Sequence, residues 1–225
     1  KVQFLANTSR ELRGPLNSMI GCLQLLDDAD GPTKEEGAEL RAQALRAGEQ
    51  LTDLTQNLVD LCRLEEGRFS VRRRRIESGP LLERSLARIR AGIESRGLTL
   101  LVVPPPEGWP RLQTDSQRLR EVLDHLLENA LEFTEAGSIR ISGRVVQDHA
   151  PMLRIEISDT GKGIDAETLP RLFEMFARAG SEGKGSGLGL TLCRHLIRAM
   201  RGEIAIESEG VGHGTRVWFT VPLSQ

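Results

Sequence analysis

Two apolar repeats in the first third of the chain constrain its fold more than any other feature. Between residues 2 and 26, apolar side chains recur every seven positions, and between residues 40 and 61 they recur in alternating steps of four and three. Such spacing places apolar side chains on one stripe of a helix, so two long amphipathic helices are predicted. The first repeat has the rows Leu5, Leu12, Met19, Leu26 and Val2, Leu16, Leu23, with Ser9 as a polar exception, and the second comprises Leu40, Ala44, Ala47, Leu51, Leu54, Leu58 and Leu61.

The connection between these helices predicts an antiparallel pair. Gly31 and Pro32 break the helical pattern, and Thr33 followed by Glu36 fits a capping box that starts the second helix. A lone hairpin leaves a wide apolar seam without a partner. We therefore expect a homodimeric four-helix bundle, the alternative being that the stripe packs on the rest of this chain.

The remaining two thirds of the chain predict an α/β domain, with helices layered on a mostly antiparallel or mixed sheet. We expect Arg72–Arg75 to lie in a short strand at a sheet edge. This run of four arginines could also be a basic nucleic-acid patch. The predicted strands are 69–76, 98–103, 138–146, 153–158, 203–207 and 215–221, and the predicted helices are 80–96, 116–134 (with Ser116 as its cap) and 188–200. We place the domain boundary after Gly67, giving domains 1–67 and 68–225.

Composition excludes several classes of function. The 225 residues carry 30 basic and 32 acidic side chains, aromatic residues make up 4%, and Tyr is absent, which argues against nucleic-acid binding. The three cysteines, at positions 22, 62 and 193, are too far apart for a CxxC metal site or a disulfide framework. Reduced thiols fit a cytoplasmic protein.

The chain contains no apolar run near the length of a membrane span, about 18 residues. It starts at Lys1, inside an amphipathic pattern. We therefore expect a cytoplasmic fragment of a longer protein, whose missing upstream part could include a membrane anchor.

Three segments of the second domain have residues suited to nucleotide chemistry. Asp159–Ile164 follows a strand, where a buried acid can accept a hydrogen bond from an exocyclic amine such as that of adenine, and Gly161 and Gly163 allow a tight turn. Gly185–Leu190 opens a helix, where free backbone N–H groups favour phosphate. The preceding stretch, 179–185, predicts a mobile lid. Asn129, within the long helix, could bind Mg²⁺ together with nucleotide phosphates.

In this order the three segments resemble the N, G1 and G2 boxes of sensor histidine kinases, whose ATP-binding fold is shared with gyrase and Hsp90-type ATPases. Phe173–Phe176 resembles the F box, Gly214 and Thr215 resemble the glycine–threonine pair of the late hairpin, and Phe4–Asn17 resembles the phosphoacceptor box. The resemblance covers essentially the whole chain.

The resemblance implies a dimerisation and phosphotransfer hairpin followed by a two-layer α/β sandwich that binds ATP or ADP with Mg²⁺. Asp159 would contact adenine and Asn129 would hold Mg²⁺. The nucleotide-binding set would further include Thr215 and the glycines at 161, 163, 185, 187 and 189, those at 185, 187 and 189 shaping the lid over the phosphates. The implied partners are a second kinase chain and a response regulator or receiver domain, and no nucleic acid.

The hairpin departs from the family at the phosphoacceptor histidine, where this chain has Arg10. A guanidinium has no lone pair to attack phosphorus at pH 7, since its pKa is about 12.5–13.8. No other histidine precedes His125, and Gly14 stands where the family usually has the Thr or Asn that positions water for phosphatase activity. Glu11, the base beside the acceptor, is left with nothing to activate.

The ATP site also departs from the family. His125 replaces the earlier of two Asn residues, as a softer ligand poorly matched to Mg²⁺. It could activate water, as the general base does at this position in related ATPases, or simply form a hydrogen bond within the site. Glu132 replaces a Lys and would repel phosphate unless a cation intervenes. We expect nucleotide binding to persist with weakened affinity.

Three functions follow from this pattern. The first is a histidine-kinase-like regulator that no longer phosphorylates itself and acts as a homodimer, as a heterodimer with an active kinase, or by engaging a response regulator. The second is an active kinase that phosphorylates the histidine of a partner in trans, or an active kinase carrying an engineered arginine. The third is a plain ATPase that uses His125.

Overall fold

The computed structural model describes residues 2–27, 32–65, 70–148, 150–177 and 187–224. It divides into two compact units, Lys1–Gly67 and Arg68–Gln225. The first is a helical hairpin and the second an α/β sandwich, so the predicted fold class is confirmed.

The hairpin consists of α1 (Val2–Leu26) and α2 (Lys34–Glu65). The predicted capping box starts α2: the Thr33 N–H donates to Glu36 Oε2 at 2.9 Å, and the Glu36 N–H donates to Thr33 Oγ1 at 3.3 Å. These two bonds satisfy N–H groups that the first turn of a helix leaves without partners. The hydrogen bonds also hold the Glu36 pKa below its usual value.

The two apolar rows of α1 have different surroundings. Met19 lies against Gly48 of α2, and Leu26 lies against Gly37, so the row of Leu12, Met19 and Leu26 faces the second helix. Leu16 and Leu23, from the other row, are 40% and 52% exposed. All seven residues of the α2 repeat are buried or half-buried. One row therefore closes the hairpin and the other remains on its surface.

The second unit has seven strands and three α-helices among its described residues. The strands are β1 (Arg74–Glu77), β2 (Thr99–Val103), β3 (Arg111–Thr114), β4 (Ser138–Asp148), β5 (Ala150–Asp159), β6 (Ile204–Glu207) and β7 (Thr215–Pro222). The helices are α3 (Ser78–Ser95), α4 (Ser116–Phe133) and α5 (Gly189–Ala199). A single 3₁₀ turn covers Leu169–Arg171.

Five strands form a mixed sheet in the order β2-β4-β5-β7-β6, and β1 and β3 form a separate antiparallel pair. Only β2 and β4 run parallel, whereas the other pairs are antiparallel. Asp159, the last residue of β5, pairs with Thr215, the first residue of β7. This register brings two predicted site residues to one end of the sheet.

The core lies between one face of the sheet and the helices. Alternate residues of the central strands point into it, as the period of two in a strand requires. The fully buried side chains include Ile139, Ile141, Leu153 and Phe219 from the sheet and Leu119, Leu123 and Leu127 from α4. On the intervening positions, the Arg154 guanidinium stacks 3.9 Å from the Trp218 ring, and Trp218 Nε1–H donates to Glu207.

Three local predictions differ from the structure. The cap of α4 is Asp115, whose carboxylate accepts from the N–H groups of Gln117 and Arg118, and Ser116 is already the first helical residue. The predicted strand 69–76 narrows to Arg74–Glu77 among the described residues. The strand β3 was not predicted, because four residues give too short an alternation to separate from a loop.

Candidate nucleotide-binding site

A cavity of about 230 Å³ lies between α4, the loop after β5, the start of α5 and the last two strands. Two apolar side chains from neighbouring strands, Ile157 and Val217, form part of its wall. The predicted site residues that line it are His125, Asn129, Glu132, Asp159, Gly163, Gly187, Gly189 and Thr215. Gly161 lies buried beside this group, and Gly185 lies outside the described residues. Residues separated by up to ninety positions thus meet in one concave site.

Asp159 presents a half-buried carboxylate at the end of β5. Its Oδ1 accepts a hydrogen bond from the Gly161 N–H at 2.8 Å. Burial raises the pKa of this carboxyl, and hydrogen bonds from the backbone N–H groups of Gly161 and Thr215 partly oppose that shift. A partly desolvated carboxylate oxygen is a strong acceptor for the amine of a nucleobase.

The loop after Asp159 is held by its neighbours on both sides. The Lys162 N–H donates to the Phe133 carbonyl at the end of α4, at 3.1 Å, and the Gly212 N–H of the β6–β7 turn donates to the Lys162 carbonyl, at 2.7 Å. Gly163 has φ +66° and lies so close to the Gly210 carbonyl that a Cβ would collide with it. The loop is therefore built into the fold before any ligand arrives.

His125 and Asn129 stand one helical turn apart on α4 and both face the cavity. The His125 ring lies directly against Gly189, the first residue of α5, where a side chain would overlap the imidazole. This contact joins the middle of α4 to the N-terminus of α5. The N-terminal end of a helix has free N–H groups and a partial positive charge, which favour anions such as phosphate.

Three further charged residues line the same cavity, namely Glu128, Glu132 and Lys162. The Lys162 ammonium lies 4.4 Å from the centre of the Phe133 ring. A cation over an aromatic face is attracted to the ring, so this lysine is held at the edge of the site. Besides Asp159, the cavity lining thus has two acidic side chains and one basic side chain, with an aromatic ring under the basic one.

A backbone hydrogen bond connects Phe176 with Gly187. The Phe176 N–H donates to the Gly187 carbonyl at 2.8 Å, and Phe176 has a positive φ of 64°, which is uncommon for a residue with a side chain. The predicted mobile lid at 179–185 lies outside the described residues.

The chain matches two protein families along its length. Residues 1–67 match the His Kinase A (phospho-acceptor) domain, and residues 114–225 match the histidine kinase-, DNA gyrase B- and HSP90-like ATPase family. The chain belongs to the histidine kinase family. Its two units form a histidine-kinase transmitter module of a two-component sensor, and the second unit belongs to a family of ATP-binding domains.

Relatives and solved structures agree with this assignment. The chain is 32% identical to the sensor protein EvgS of Escherichia coli K12 over 229 residues, and 34% identical to the autoinducer 2 sensor kinase/phosphatase LuxQ of Vibrio cholerae over 228 residues. Both alignments cover 99% of this chain but only 19% and 26% of those relatives. The transmitter module therefore spans about a fifth to a quarter of their length.

Two solved structures share the fold. The histidine kinase AdeS of Acinetobacter baumannii superposes with a TM-score of 0.75 at 24% identity, covering 96% of this chain and 98% of that one. Full-length ShkA, solved in complex with AMPPNP, gives a TM-score of 0.72 at 26% identity, covering 99% of this chain and 46% of that one. The fold of AdeS thus extends over both units of this histidine kinase.

The hairpin of this histidine kinase presents its chemistry-bearing positions on α1. Arg10 is exposed, and Glu11 next to it is half-buried. A Cβ added to Gly14 would have no neighbouring heavy atom within 4 Å. These residues belong to the first unit, whereas the nucleotide cavity belongs entirely to the second.

Several residues of the kinase cavity were missed by sequence reasoning. Lys162 was not among the predicted site residues, although its side chain lines the cavity and stacks on Phe133. A basic residue beside a glycine-rich turn is the signal that could have found it. Ile157, Leu172 and Val217 were missed because an apolar wall has the same sequence signature as any core strand or turn.

No helix in the described part of the chain is long and apolar enough to cross a membrane. The same part of the chain contains no group of three His, Cys, Asp or Glu side chains arranged to hold a metal ion.

Proposed function

We propose that this histidine-kinase module binds Mg-ATP or Mg-ADP but does not phosphorylate itself, and acts on signalling through a partner. The proposal rests on one observation: the exposed side chain at the acceptor position of α1 is Arg10, while the cavity of the second unit keeps the acidic and glycine residues suited to nucleotide.

The chemical reason lies in the protonation state of the acceptor. Imidazole, with a pKa of about 6.5, offers a lone pair at neutral pH. A guanidinium, with a pKa of about 12.5–13.8, is neutral in only about one molecule in a million at pH 7. Glu11 accordingly has no proton to remove from a nucleophile.

The second unit supports nucleotide binding of reduced strength. Asp159 offers the acceptor for adenine, and the N-terminus of α5 at Gly189 offers N–H groups for phosphate. Oxygen donors from Asn129 and the nucleotide would hold Mg²⁺, which neutralises phosphate charge when bound and prefers such ligands. Glu132 opposes the phosphates and is the reason for the weakened affinity.

The hairpin supports association with a second kinase chain. Domains of its family dimerise and transfer phosphoryl groups to response regulators. Leu16, Ile20 and Leu23 of α1 are each at least 40% exposed, and Leu45 of α2 is 69% exposed. A bundle of four helices would cover these side chains, either with a second copy or with an active kinase. Receiver domains are the second class of partner.

The test combines binding with labelling on the full chain. Calorimetric titration with Mg-ADP is expected to give saturable binding, and incubation with γ-labelled ATP is expected to give no acid-labile label. Acid-labile label within residues 1–67 would overturn the loss of autophosphorylation. Absence of any nucleotide binding would overturn the proposed binding of Mg-ATP or Mg-ADP and leave a protein that acts only by associating with its partner.

A second candidate function is phosphorylation of a partner's histidine in trans. It is favoured by the cavity, because kinase action across a dimer requires an ATP site on one chain and an acceptor on the other. Mixing this chain with a histidine kinase whose own ATP site has been inactivated decides between the two. Label on the partner's histidine supports trans phosphorylation, and its absence, with heterodimer formation demonstrated, leaves the regulatory function.

A further inference from the structure

The turn between β6 and β7 braces the loop that holds Asp159. The Gly212 N–H donates to the Lys162 carbonyl at 2.7 Å, and the Gly214 N–H donates to the Gly161 carbonyl at 3.1 Å. Both bonds join the turn to the loop at positions between Asp159 and Ile164. None of the three nucleotide motifs identified from the sequence includes the start of this turn.

Ser208 is the residue that ties the turn together. It follows directly after β6, and its hydroxyl accepts from the Ile164 N–H at 3.0 Å and donates to the Gly214 carbonyl at 2.7 Å. The Gly210 N–H also lies within 3.4 Å of the same oxygen. A hydroxyl has one donor and two acceptor sites, so all of them are used here. The Ser208 side chain thus connects Ile164, at the end of the loop, with Gly210 and Gly214 of the turn.

Close backbone approaches make the position of Asp159 depend on this turn. Gly214 has φ +70° and lies against the Asp159 carbonyl so closely that no side chain would fit. Thr160, the next residue, is fixed from the opposite side, because its Oγ1 accepts from the Ser138 N–H at 2.9 Å. Because the Ser138 N–H holds Thr160 from one side, a shift of the β6–β7 turn would act on Asp159 from the other side.

We infer that Ser208 is a positioning residue for adenine recognition: it keeps the Asp159 carboxylate where the exocyclic amine of the base must lie. This inference rests on the proposed nucleotide binding and adds a determinant of base specificity. Ser208 itself lines no part of the described cavity, so its effect passes through the loop. Its contribution should therefore appear in the preference between bases rather than in contacts with phosphate.

The test compares ADP with inosine diphosphate, which has a carbonyl in place of the amine, by calorimetric titration of the full chain. Ser208→Ala is expected to weaken ADP binding roughly five- to tenfold, as loss of about one net hydrogen bond predicts, and inosine diphosphate binding much less. Ser208→Thr, which keeps the hydroxyl, should retain most of the preference. An unchanged ratio of the two affinities in Ser208→Ala would overturn the inference.

A matched control separates positioning from stability. Ser78 is buried in the same unit, and its hydroxyl donates to the Pro110 carbonyl away from the cavity. Ser78→Ala should lower the melting temperature at least as much as Ser208→Ala while leaving the ratio of ADP to inosine diphosphate affinity unchanged. A narrowed ratio in Ser78→Ala would mean that general loosening produces the effect, which contradicts a specific role for Ser208.

Amide exchange of the nucleotide-free protein makes the inference independent of ligand binding. Ser208→Ala removes no partner of the Gly161 or Lys162 N–H groups, whose acceptors are Asp159 Oδ1 and the Phe133 carbonyl. Faster exchange at these two amides in Ser208→Ala is expected if Ser208 braces the loop. Unchanged exchange would overturn this bracing role. If wild-type protein binds neither nucleotide, the proposed function fails, and exchange alone still decides the bracing.

Discussion

The residues expected to carry chemistry are packed differently in the hairpin and in the second unit. On α1, Arg10 and Gly14 are exposed, and the space around Gly14 is open. In the second unit, Asp159 is half-buried, and Gly163 and Gly189 each lie against an atom that excludes any side chain. The functional positions of the hairpin are thus separable from its fold, whereas those of the cavity are not.

Because of this difference, a substitution at the exposed positions of α1 can change the chemistry of the hairpin without disturbing its fold. Substitution at an exposed site away from caps and cores usually changes stability by less than about 0.5 kcal/mol. An arginine at position 10 therefore costs the hairpin little, although under the proposed function it leaves no nucleophile there. In the cavity, a substitution at Gly189 disturbs the packing of two helices, so chemistry and fold constrain each other there.

The largest effect is expected from restoring the acceptor on α1. Arg10→His supplies an imidazole that is mostly neutral at pH 7.5, so autophosphorylation by labelled ATP should rise at least roughly a thousandfold above the background of the wild type. The label should be acid-labile and stable to base. If the functional positions of α1 are separable from its fold, changing this one exposed residue is enough to allow labelling.

Arg10→Gln is the matched control, since it also removes the charge at an exposed position but adds no nucleophilic nitrogen lone pair. It should give no label. Failure of Arg10→His to become labelled while Mg-ADP still binds would break the comparison. That result would locate a further defect elsewhere, for example in Glu132 at the rim of the cavity.

The next largest effect is expected at Asp159. Asp159→Asn replaces a charged acceptor by a neutral amide, which should weaken Mg-ADP binding about ten- to a hundredfold in a calorimetric titration, the usual worth of a hydrogen bond to a charged group. Asp165→Asn, in the same loop but outside the described cavity lining, is the control and should bind nearly as wild type. Equal losses in both variants would contradict a specific role for Asp159.

The pH dependence of the same variant follows from the raised pKa of Asp159. Because burial raises that pKa, the folded protein disfavours the ionised form, and the charge costs stability at pH 7. Asp159→Asn should therefore melt at a higher temperature than wild type at pH 7. This gain in melting temperature should vanish below pH 3.8, the ordinary pKa of an aspartate. In wild type, nucleotide affinity should begin to fall at a higher pH than an ordinary Asp would give. A lower melting temperature for Asp159→Asn at pH 7 would contradict the sign.

Most of the fold could be predicted because its helices have long, regular apolar periods. The seven-residue rows gave α1 as Val2–Leu26, and the pair of Thr33 and Glu36 marked the start of α2. Shorter features could not be placed as well. Either Asp115 or Ser116 could cap α4, and only the hydrogen bonds to Gln117 and Arg118 identify the cap as Asp115.

Most of the predicted site residues line one cavity, but the contacts that fix them there could not be predicted. Sequence reasoning attributed Gly161 and Gly163 to a tight turn, and the positive φ of Gly163 agrees with it, but the neighbour that excludes a side chain at Gly163 is the Gly210 carbonyl. That contact joins residues 47 positions apart, and no local pattern encodes it. Lys162 and Ser208 were missed for the same reason, since their roles depend on Phe133 and Ile164 across the fold.

A fourth prediction concerns the contact between α4 and α5. Gly189→Ala forces a methyl group into the His125 ring, so the free energy of unfolding of the second unit should fall by about 1–3 kcal/mol, the usual cost of overpacking. Both tryptophans, Trp109 and Trp218, lie in this unit, so urea unfolding followed by their fluorescence reports on it alone.

His125→Ala makes the double-mutant control for Gly189→Ala. Once the ring is removed, the added methyl should be tolerated, and the two changes should differ from additivity by about 0.5–3 kcal/mol. Additive losses would mean that the strain at position 189 does not come from His125. Gly189 would then no longer be an example of a cavity position at which packing against His125 excludes a side chain.

The smallest effect is expected for the two open glycines of α1, and it sharpens the comparison from the other side. A Cβ at Gly14 or at Gly21 would have no heavy atom within 4 Å outside its immediate neighbours. Gly21→Ala should therefore stabilise the hairpin by about 1 kcal/mol through helix propensity alone, seen as a later loss of helical circular dichroism on urea unfolding.

Gly14→Ala should gain less than Gly21→Ala, although both sites are open. Pro15 follows Gly14 inside α1, and the Cδ of a proline crowds the Cβ of the residue before it in helical conformation. The shortfall should be measurable as a smaller shift of the same unfolding curve. Equal gains at both positions would mean that Pro15 places no constraint on position 14, whereas a loss at Gly21 would show that the surface of α1 is covered by a partner even in the isolated module.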